Sequence, residues 1–256
     1  MKFNIAVIFA IAPIAGFLAG AAGAAPPSQQ CDVPQSLLES DVELTRVTDE
    51  FKTKRRLDVS VIGSGSSSLA GPNGAQSAYP ARLEDALKQR LKTADVKVTA
   101  HVQSKEATAA MVTELGPILA GDKPALVIWQ TGTADAINGV EPEDFRTSLD
   151  GGVEKIQASG ADVILMNMQY SPRTESMLDV STYADVMRVV GEQRGALLFD
   201  RFAIMQYWND AGIFDLYTPT KKYDMAQQVH DCIGWALASQ IINAAHLDAV
   251  RMQTTQ

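Results

Sequence analysis

The chain has 256 residues and a formal net charge of -8 at pH 7. This acidity argues against nucleic-acid binding, because a protein that neutralises phosphate groups needs a basic face. The length favours one domain with a sizeable core, and the sequence shows no internal repeat. The dense basic run over residues 52–56 is interpreted as a solvated approach to the first strand.

The first 24 residues have the pattern of a secretory signal peptide. Lys2 precedes an apolar stretch over residues 5–17, and a run of small residues ends at Ala24. We expect cleavage after Ala24 and therefore a periplasmic or secreted protein. The alternative is a retained membrane anchor, which is less favoured because no basic stop-transfer flank follows the apolar stretch.

The two cysteines, Cys31 and Cys232, lie near the two ends of the expected mature chain. In an exported protein such a pair is a disulfide candidate. The bridge would hold an N-terminal extension, residues 25–56, against the last predicted helix. Within that extension the spacing of apolar residues predicts a short helix over residues 36–51, with Ser36 as its cap.

From residue 57 to residue 250, apolar runs alternate with helical patterns. The runs cover residues 57–62, 96–102, 125–130, 162–168 and 196–200. Helical patterns begin near Tyr79, Glu106, Pro142 and Tyr183, and a last helix is expected over residues 225–249. Five buried strands separated by helices predict an α/β domain whose parallel sheet is covered on both faces.

The stretch over residues 59–71, VSVIGSGSSSLAG, is the first candidate site. A short apolar strand runs directly into a turn made of Gly and Ser. Ligands of open parallel sheets bind outside the carboxyl ends of the strands, so these serines are candidates for a nucleophile or an anion cradle. The alternatives are a flexible connection and a set of caps for the next helix.

Polar residues also follow the third and fourth strands. The third strand runs into Gly132, Thr133 and Asp135, which suits an oxyanion or substrate-binding loop. The fourth strand is followed by a second polar cluster that contains Asn167 and Arg173. Both clusters are expected at the same edge of the sheet as the serine turn.

The chain has three histidines, which limits the search for a general base. His246 lies late in the last helix and is expected at the surface, and His101 at the end of the second strand lacks an evident partner. His230 is better placed, because Asp224 and Asp231 lie near it in sequence and an acid can orient an imidazole.

Taken together, these residues resemble the SGNH/GDSL hydrolase family, whose first block is strand-Gly-Asp-Ser-x-x-x-Gly. Residues 65–71, GSSSLAG, fit that spacing with Ser66 in place of the Asp. The resemblance implies a three-layer αβα sandwich with a five-stranded parallel, flavodoxin-like sheet. It places the nucleophile on Ser67, with Ser66 as the alternative, and the base on His230.

Three positions depart from the family pattern. Ala134 stands where the family has an Asn that donates to the oxyanion, and Lys105 stands near the glycine whose backbone N–H does the same. Gln227 occupies the position of the acid, so Asp224, Asp231 or a backbone carbonyl must orient His230. Ala134 offers no side-chain donor, which weakens the expected oxyanion site.

The leading hypothesis is an exported serine hydrolase that acts on a carboxylic ester, such as a carbohydrate O-acetyl group. The alternatives are an impaired relative that binds a glycan or protein partner, and an O-acyltransferase that uses the same residues. The resemblance implies no metal or organic cofactor, and the sequence leaves the oligomeric state open. The expected substrate contacts are Gln130, Thr131, Asn167, Gln169 and Arg173.

Overall fold

A computed structural model describes residues 31–248 apart from residue 93 and residues 219–222. One five-stranded parallel sheet has the strand order β2-β1-β3-β4-β5. This order confirms the predicted flavodoxin-like α/β fold. The predicted signal peptide and its cleavage site after Ala24 lie outside the described residues. The strands are Arg56–Gly63 (β1), Asp95–Val102 (β2), Leu126–Gln130 (β3), Asp162–Met166 (β4) and Leu197–Phe199 (β5).

The order of the strands places the ends of β1 and β3 side by side. Ile62 pairs with Trp129, so the turn after β1 lies next to Gln130 at the end of β3. The chain leaves β1 toward β2 on one side and later returns to β3 on the other. This reversal of strand order is where open parallel sheets form a crevice outside their carboxyl ends.

Helices cover both faces of the sheet. On one face, a buried cluster joins the sheet to the helices Thr45–Lys54, Tyr79–Arg90 and Tyr223–Ala244. On the other face, a second cluster joins it to the helices Thr108–Asp122, Pro142–Ala158 and Val180–Arg194. Because both faces are covered, β3 is buried along its whole length. The helices are Thr45–Lys54 (α1), Gly74–Ser77 (α2), Tyr79–Arg90 (α3), Thr108–Asp122 (α4), Thr133–Asn138 (α5), Pro142–Ala158 (α6), Pro172–Glu175 (α7), Val180–Arg194 (α8), Arg201–Asp210 (α9) and Tyr223–Ala244 (α10).

The prediction of one helix over residues 36–51 is wrong. The structure has a 3-10 turn over Gln35–Leu37 and then α1, which starts only at Thr45. Between them the Ser40 hydroxyl accepts a hydrogen bond from the N–H of Val42, which is the competition with helical bonding typical of serine. Val47 and Phe51 of α1 are fully buried, so this helix contributes to the core.

The N-terminal segment is fixed to the rest of the domain by a disulfide. Cys31 and Cys232 are joined across a sequence separation of 201, which confirms the predicted bridge. Trp208 also donates from its indole N–H to the carbonyl of Asp32 at 3.1 Å. In the chain-entropy model a loop of this size stabilises the fold by about 5 kcal/mol.

No helix in the described part of the chain has the length and apolar character needed to span a bilayer.

Candidate active site

The serine turn follows β1 as a single 3-10 turn over Gly65–Ser67. Within it the Ser67 side chain is 2% exposed, and its Oγ lies 2.9 Å from the hydroxyl of Tyr79 and 2.9 Å from Oε1 of Gln130. Burial raises the pKa of Tyr79 to about 12, so this phenol is neutral at physiological pH. The Ser67 hydroxyl is therefore enclosed between two neutral groups.

Ser66 has a different environment from Ser67. It is partly exposed, and its Oγ lies 3.3 Å from Oγ of Ser64 and 3.3 Å from Oε1 of Gln130. A guanidinium nitrogen of Arg201, Nη1, donates to the same Oγ at 3.2 Å. Ser66 is therefore the serine of this turn that combines partial exposure with contact to a cation.

Gln130 holds the turn in place from the end of β3. Its Oε1 accepts hydrogen bonds from the backbone N–H and the hydroxyl of Ser64, both at 3.0 Å, in addition to those from Ser66 and Ser67. The side chain is fully buried, so the structure places it beneath the turn rather than at the expected substrate contact. Its Nε2 has no hydrogen-bond partner among the described residues.

Arg201 was not recognised from the sequence. It is the first residue of α9, is 1% exposed, and donates from Nη2 to Oε1 of Gln169 at 2.9 Å. No carboxylate pairs with it in the described part of the chain, and its Nε has no partner there. Burial lowers the pKa of Arg201 to about 10, so the guanidinium still carries its charge at pH 7. The sequence signal that could have identified Arg201 is its position directly after the predicted strand over residues 196–200.

His230 lies in α10 close to the serine turn but is engaged elsewhere. Its Nδ1 accepts a hydrogen bond from the backbone N–H of Tyr79 at 2.9 Å. Burial, assisted by the charge of Arg201, lowers the pKa of His230 to about 3, so the imidazole is neutral. Among the described residues no serine forms a hydrogen bond with it, and the catalytic role assigned to His230 by resemblance stays a prediction.

The two acids expected to orient His230 face other partners. Asp231 forms an ion pair with Arg82, with 3.0 Å between Oδ1 and Nε. Asp224 is exposed in the first turn of α10. The structure thus brings neither carboxylate to the imidazole in the part of the chain that it describes.

Asp135 has a structural role at this edge. Its carboxylate accepts from the N–H of Thr108 at 3.1 Å and from the Thr108 hydroxyl at 2.9 Å. That hydroxyl lies 2.6 Å from Oγ1 of Thr131. All three residues are buried, so Asp135 and Thr131 fix the start of α4 and are not placed as the substrate contacts that the sequence suggested.

The backbone around Lys105 is suited to an oxyanion site. Lys105 has φ of 66°, in the left-handed region that favours glycine, which fits its position near the family glycine. The adjacent Ser104 is near the serine turn, since a Cβ added to Gly65 would lie 3.4 Å from its Oγ. In the described structure the backbone N–H groups of Lys105 and Ser66 have no acceptor.

The loop after β3 contains a tightly constrained glycine, Gly132, and a hydroxyl without a partner among the described residues, that of Thr133. Gly132 has φ of 91°, and a Cβ there would lie 2.8 Å from Sδ of Met168, so both its conformation and its packing require glycine. Thr133 has a buried Oγ1 without a partner in the described residues. Ala134 is 8% exposed and presents only a methyl group, as the sequence indicated.

The polar cluster after β4 divides into a buried and an exposed part. Asn167 donates from Nδ2 to Asp200 at 2.8 Å and accepts from the N–H of Phe202 at 2.9 Å, so it fixes the start of α9. Arg173 is exposed, and its guanidinium lies 5.8 Å from the ring centre of Tyr217. Of the predicted substrate contacts, Arg173 and Gln169 remain accessible.

The described residues contain no group of three or more metal-ligating side chains.

Comparison with known proteins agrees with this fold. The model of the non-GDSL lipase-like family matches residues 30–247. Esterase TesA of Pseudomonas aeruginosa is 32% identical over 78 residues, which are 30% of this chain and 39% of that esterase. The match therefore spans well under half the length of that curated relative.

Solved esterase structures share the fold. The psychrotrophic esterase EstA from Pseudoalteromonas sp. has a TM-score of 0.56 at 20% identity, covering 73% of this chain and 97% of EstA. The acetyl xylan esterase AlAXEase has a TM-score of 0.59 at 14% identity, covering 73% of this chain and 99% of that enzyme. At these identities the likeness concerns the fold alone.

Proposed function

Because the chain belongs to the non-GDSL lipase-like family, we propose that it is a serine hydrolase of small carboxylic esters with Ser66 as its nucleophile. The observation that carries this proposal is the accessibility of Ser66 at the carboxyl edge of the sheet, while Ser67 is enclosed. A nucleophile must reach the acyl carbon, and the hydroxyl of Ser67 is occupied by Tyr79 and Gln130.

The reaction would follow the two steps of acyl transfer. Oγ of Ser66 attacks the acyl carbon, and the alcohol leaves as the tetrahedral intermediate collapses. Water then hydrolyses the acyl-enzyme and regenerates the hydroxyl. The unpartnered backbone N–H groups of Ser66 and Lys105 are the proposed donors to the oxyanion. The missing side-chain donor at Ala134 corresponds to a loss of about 10²- to 10³-fold in rate where such donors were removed.

The proposed substrate class is esters of small acyl groups, including O-acetyl groups on carbohydrates. The fold likeness to an acetyl xylan esterase supports this class only by analogy. Arg173 and Tyr217 form an exposed pair, and the Tyr217 ring is a candidate contact for such a substrate. Aromatic faces often pack against sugar rings or cations. Tyr217 is 63% exposed, so it is available for such a contact.

We propose that the protein acts outside the cytoplasm. The disulfide between Cys31 and Cys232 supports this location, because such bonds persist in oxidising compartments. The signal-like pattern ending at Ala24 supports it as well. N-terminal sequencing of the protein recovered from the periplasm or medium should begin at Ala25. Recovery of uncleaved protein from the membrane fraction would contradict it.

A second candidate function is binding of an ester or glycan without turnover. His230 favours it, because its Nδ1 is occupied by the backbone of Tyr79 and the described residues show no serine bonded to the ring. Neither Asp231 nor Asp224 contacts the ring in that part of the chain. A protein that kept the fold and lost its base would look like this.

Two measurements on the purified mature protein separate these functions. The first is hydrolysis of p-nitrophenyl acetate, and the second is labelling with a fluorophosphonate followed by peptide mass spectrometry. We expect turnover and an adduct on Ser66 that Ser66→Ala abolishes and Ser67→Ala leaves in place. An adduct on Ser67 would instead assign the nucleophile to Ser67. A folded protein with neither turnover nor adduct would contradict the hydrolase proposal and favour the binding function.

A further inference from the structure

Arg201 is a buried cation without an acidic partner. It is 1% exposed, and no carboxylate of the described residues acts on its charge, since the one titratable group among them that acts on its pKa is Tyr79. Charged side chains are almost never fully buried unless they are paired, because burial removes the hydration of the charge. The neighbouring carboxylate of Asp200 is directed to the N–H of Ala203 and to Asn167. The position of Arg201 therefore requires an explanation other than an ordinary ion pair.

The groups that face the guanidinium are neutral. Nη1 donates to the hydroxyl of Ser66 at 3.2 Å, and Nη2 donates to the amide oxygen of Gln169 at 2.9 Å. From α3 the ring of Tyr79 lies with its centre 5.9 Å from the guanidinium carbon, and its burial keeps the phenol protonated. From α10, His230 is also neutral. A negative charge at Oγ of Ser66 would thus be the nearest counter-charge to Arg201.

We propose that Arg201 is a catalytic residue that stabilises the alkoxide of Ser66. This inference rests on the proposed ester hydrolysis. Hydroxide or a water molecule from solvent takes the proton of Ser66, and the electron pair stays on Oγ beside Nη1. Oγ then forms the bond to the acyl carbon, the bond from that carbon to the alcohol oxygen breaks with its electron pair, and the departing alkoxide takes a proton from solvent to leave as the alcohol. Activation by Arg201 explains how Ser66 can react without a hydrogen bond to an imidazole.

The arrangement has the features expected of electrostatic stabilisation. The guanidinium is fixed before the reaction by Gln169 and by the start of α9, so it does not need to reorganise when charge develops. It is removed from water, which increases its interaction with a charge at contact distance. Arg201 also stays mainly charged through the pH range of the assay below, because its pKa of about 10 lies above that range.

The test is the rate of fluorophosphonate labelling of Ser66, measured by mass spectrometry from pH 6 to pH 9. In this reaction Oγ displaces fluoride from phosphorus, so the rate reports the reactivity of Oγ. We expect Arg201→Gln to slow labelling by about 100-fold and to move its rise toward higher pH. Arg201→Lys keeps the charge and should lose about tenfold. His230→Gln should lose less than about tenfold.

The controls separate this inference from the proposed function. Arg188→Gln removes an exposed arginine from α8 and should label as the unmodified protein does. Circular dichroism and thermal melting verify that each variant folds, and Arg201→Lys decides the outcome if Arg201→Gln does not fold. Equal labelling of the Arg201 variants and the unmodified protein would overturn the inference and leave the proposed function intact. The same holds if His230→Gln abolishes labelling. A folded, unlabelled starting protein would overturn both.

Discussion

Among the described residues, two clusters contain both a serine and a histidine, and they differ in the charged group that accompanies them. On the α4 side of the sheet, Asp122 accepts from the hydroxyl of Ser60 at 2.6 Å and lies 2.6 Å from Nε2 of His101. At the carboxyl edge, Ser66 contacts Arg201, and His230 is bonded to backbone. In the first cluster an acid lies between the serine and the histidine. The second has a cation and, in the part of the chain that the structure describes, no acid.

The difference shows that residue types alone do not define a catalytic triad. In a serine triad the imidazole lies between the hydroxyl and the carboxylate, so it can take the proton from one and be oriented by the other. In the Asp122 cluster the serine proton is directed to the carboxylate, which ties β1 to the end of α4. In the Ser66 cluster the cation can stabilise an anion but cannot accept a proton. Each cluster therefore supports a different function.

The largest expected effect contrasts the two serines. Ser66→Ala should lower the rate of p-nitrophenyl acetate hydrolysis by at least about 10³-fold, because it removes the proposed nucleophile. Ser60→Ala should change that rate by less than about twofold, since Ser60 is fully buried within β1. Initial rates with both purified variants measure the contrast. Equal losses would mean that activity depends on the whole sheet rather than on the serine turn.

A smaller effect concerns the acid stability contributed by His230. Its pKa of about 3 in the folded protein lies below the ordinary value of 6.5, so the unfolded chain binds the proton first. Stability is therefore retained above pH 6.5 and falls as the pH decreases toward 3. Between pH 7 and pH 4 this amounts to roughly 3 kcal/mol.

The variant His230→Gln tests this loss, since its amide oxygen can still accept from the N–H of Tyr79. Urea unfolding at pH 7 and pH 4 should show a smaller loss for the variant than for the unmodified protein. The same loss in both proteins would assign the acid sensitivity to other groups.

The smallest effect concerns Asp122. Burial raises the pKa of its carboxyl, but hydrogen bonds from Ser60 and His101 lower it more, so it lies below its usual value. Its contribution to stability is present above that usual value and is lost as the pH falls through the lowered one. Asp122→Asn should cost about 1 to 2 kcal/mol at pH 7 and leave ester hydrolysis unchanged. Urea unfolding and initial rates measure both. A loss of activity would link this cluster to the site.

Much of the fold could be predicted from the sequence. The five predicted runs correspond to the five strands. In β3 and β4 the reason is that strands buried on both faces are apolar along their length, whereas β2 lies at the edge of the sheet and is partly exposed. The sequence also predicted which edge of the sheet carries the candidate site, since the carboxyl ends of parallel strands lie at the same edge. The disulfide was predictable because the sequence contains two cysteines, Cys31 and Cys232, so a single pairing is available.

The details of the site could not be predicted, because they depend on contacts between distant parts of the chain. Arg201 and Ser66 are separated by 135 positions, and nothing local to either residue indicates their contact. Similarly, only the packing of α10 against α3 shows that Nδ1 of His230 is occupied by Tyr79. The choice between Ser66 and Ser67 depends on the backbone of one 3-10 turn, which no periodicity describes.

The disulfide also sets the order in which the molecule can be completed. Cys232 is synthesised 201 positions after Cys31, so the early thiol must wait, unpaired, for nearly the whole domain. During that interval Cys31 is open to mixed disulfides with small thiols or with other chains. Since its partner lies in α10, the bond can form only after that helix has been synthesised, and once formed it joins the N-terminal segment covalently to α10.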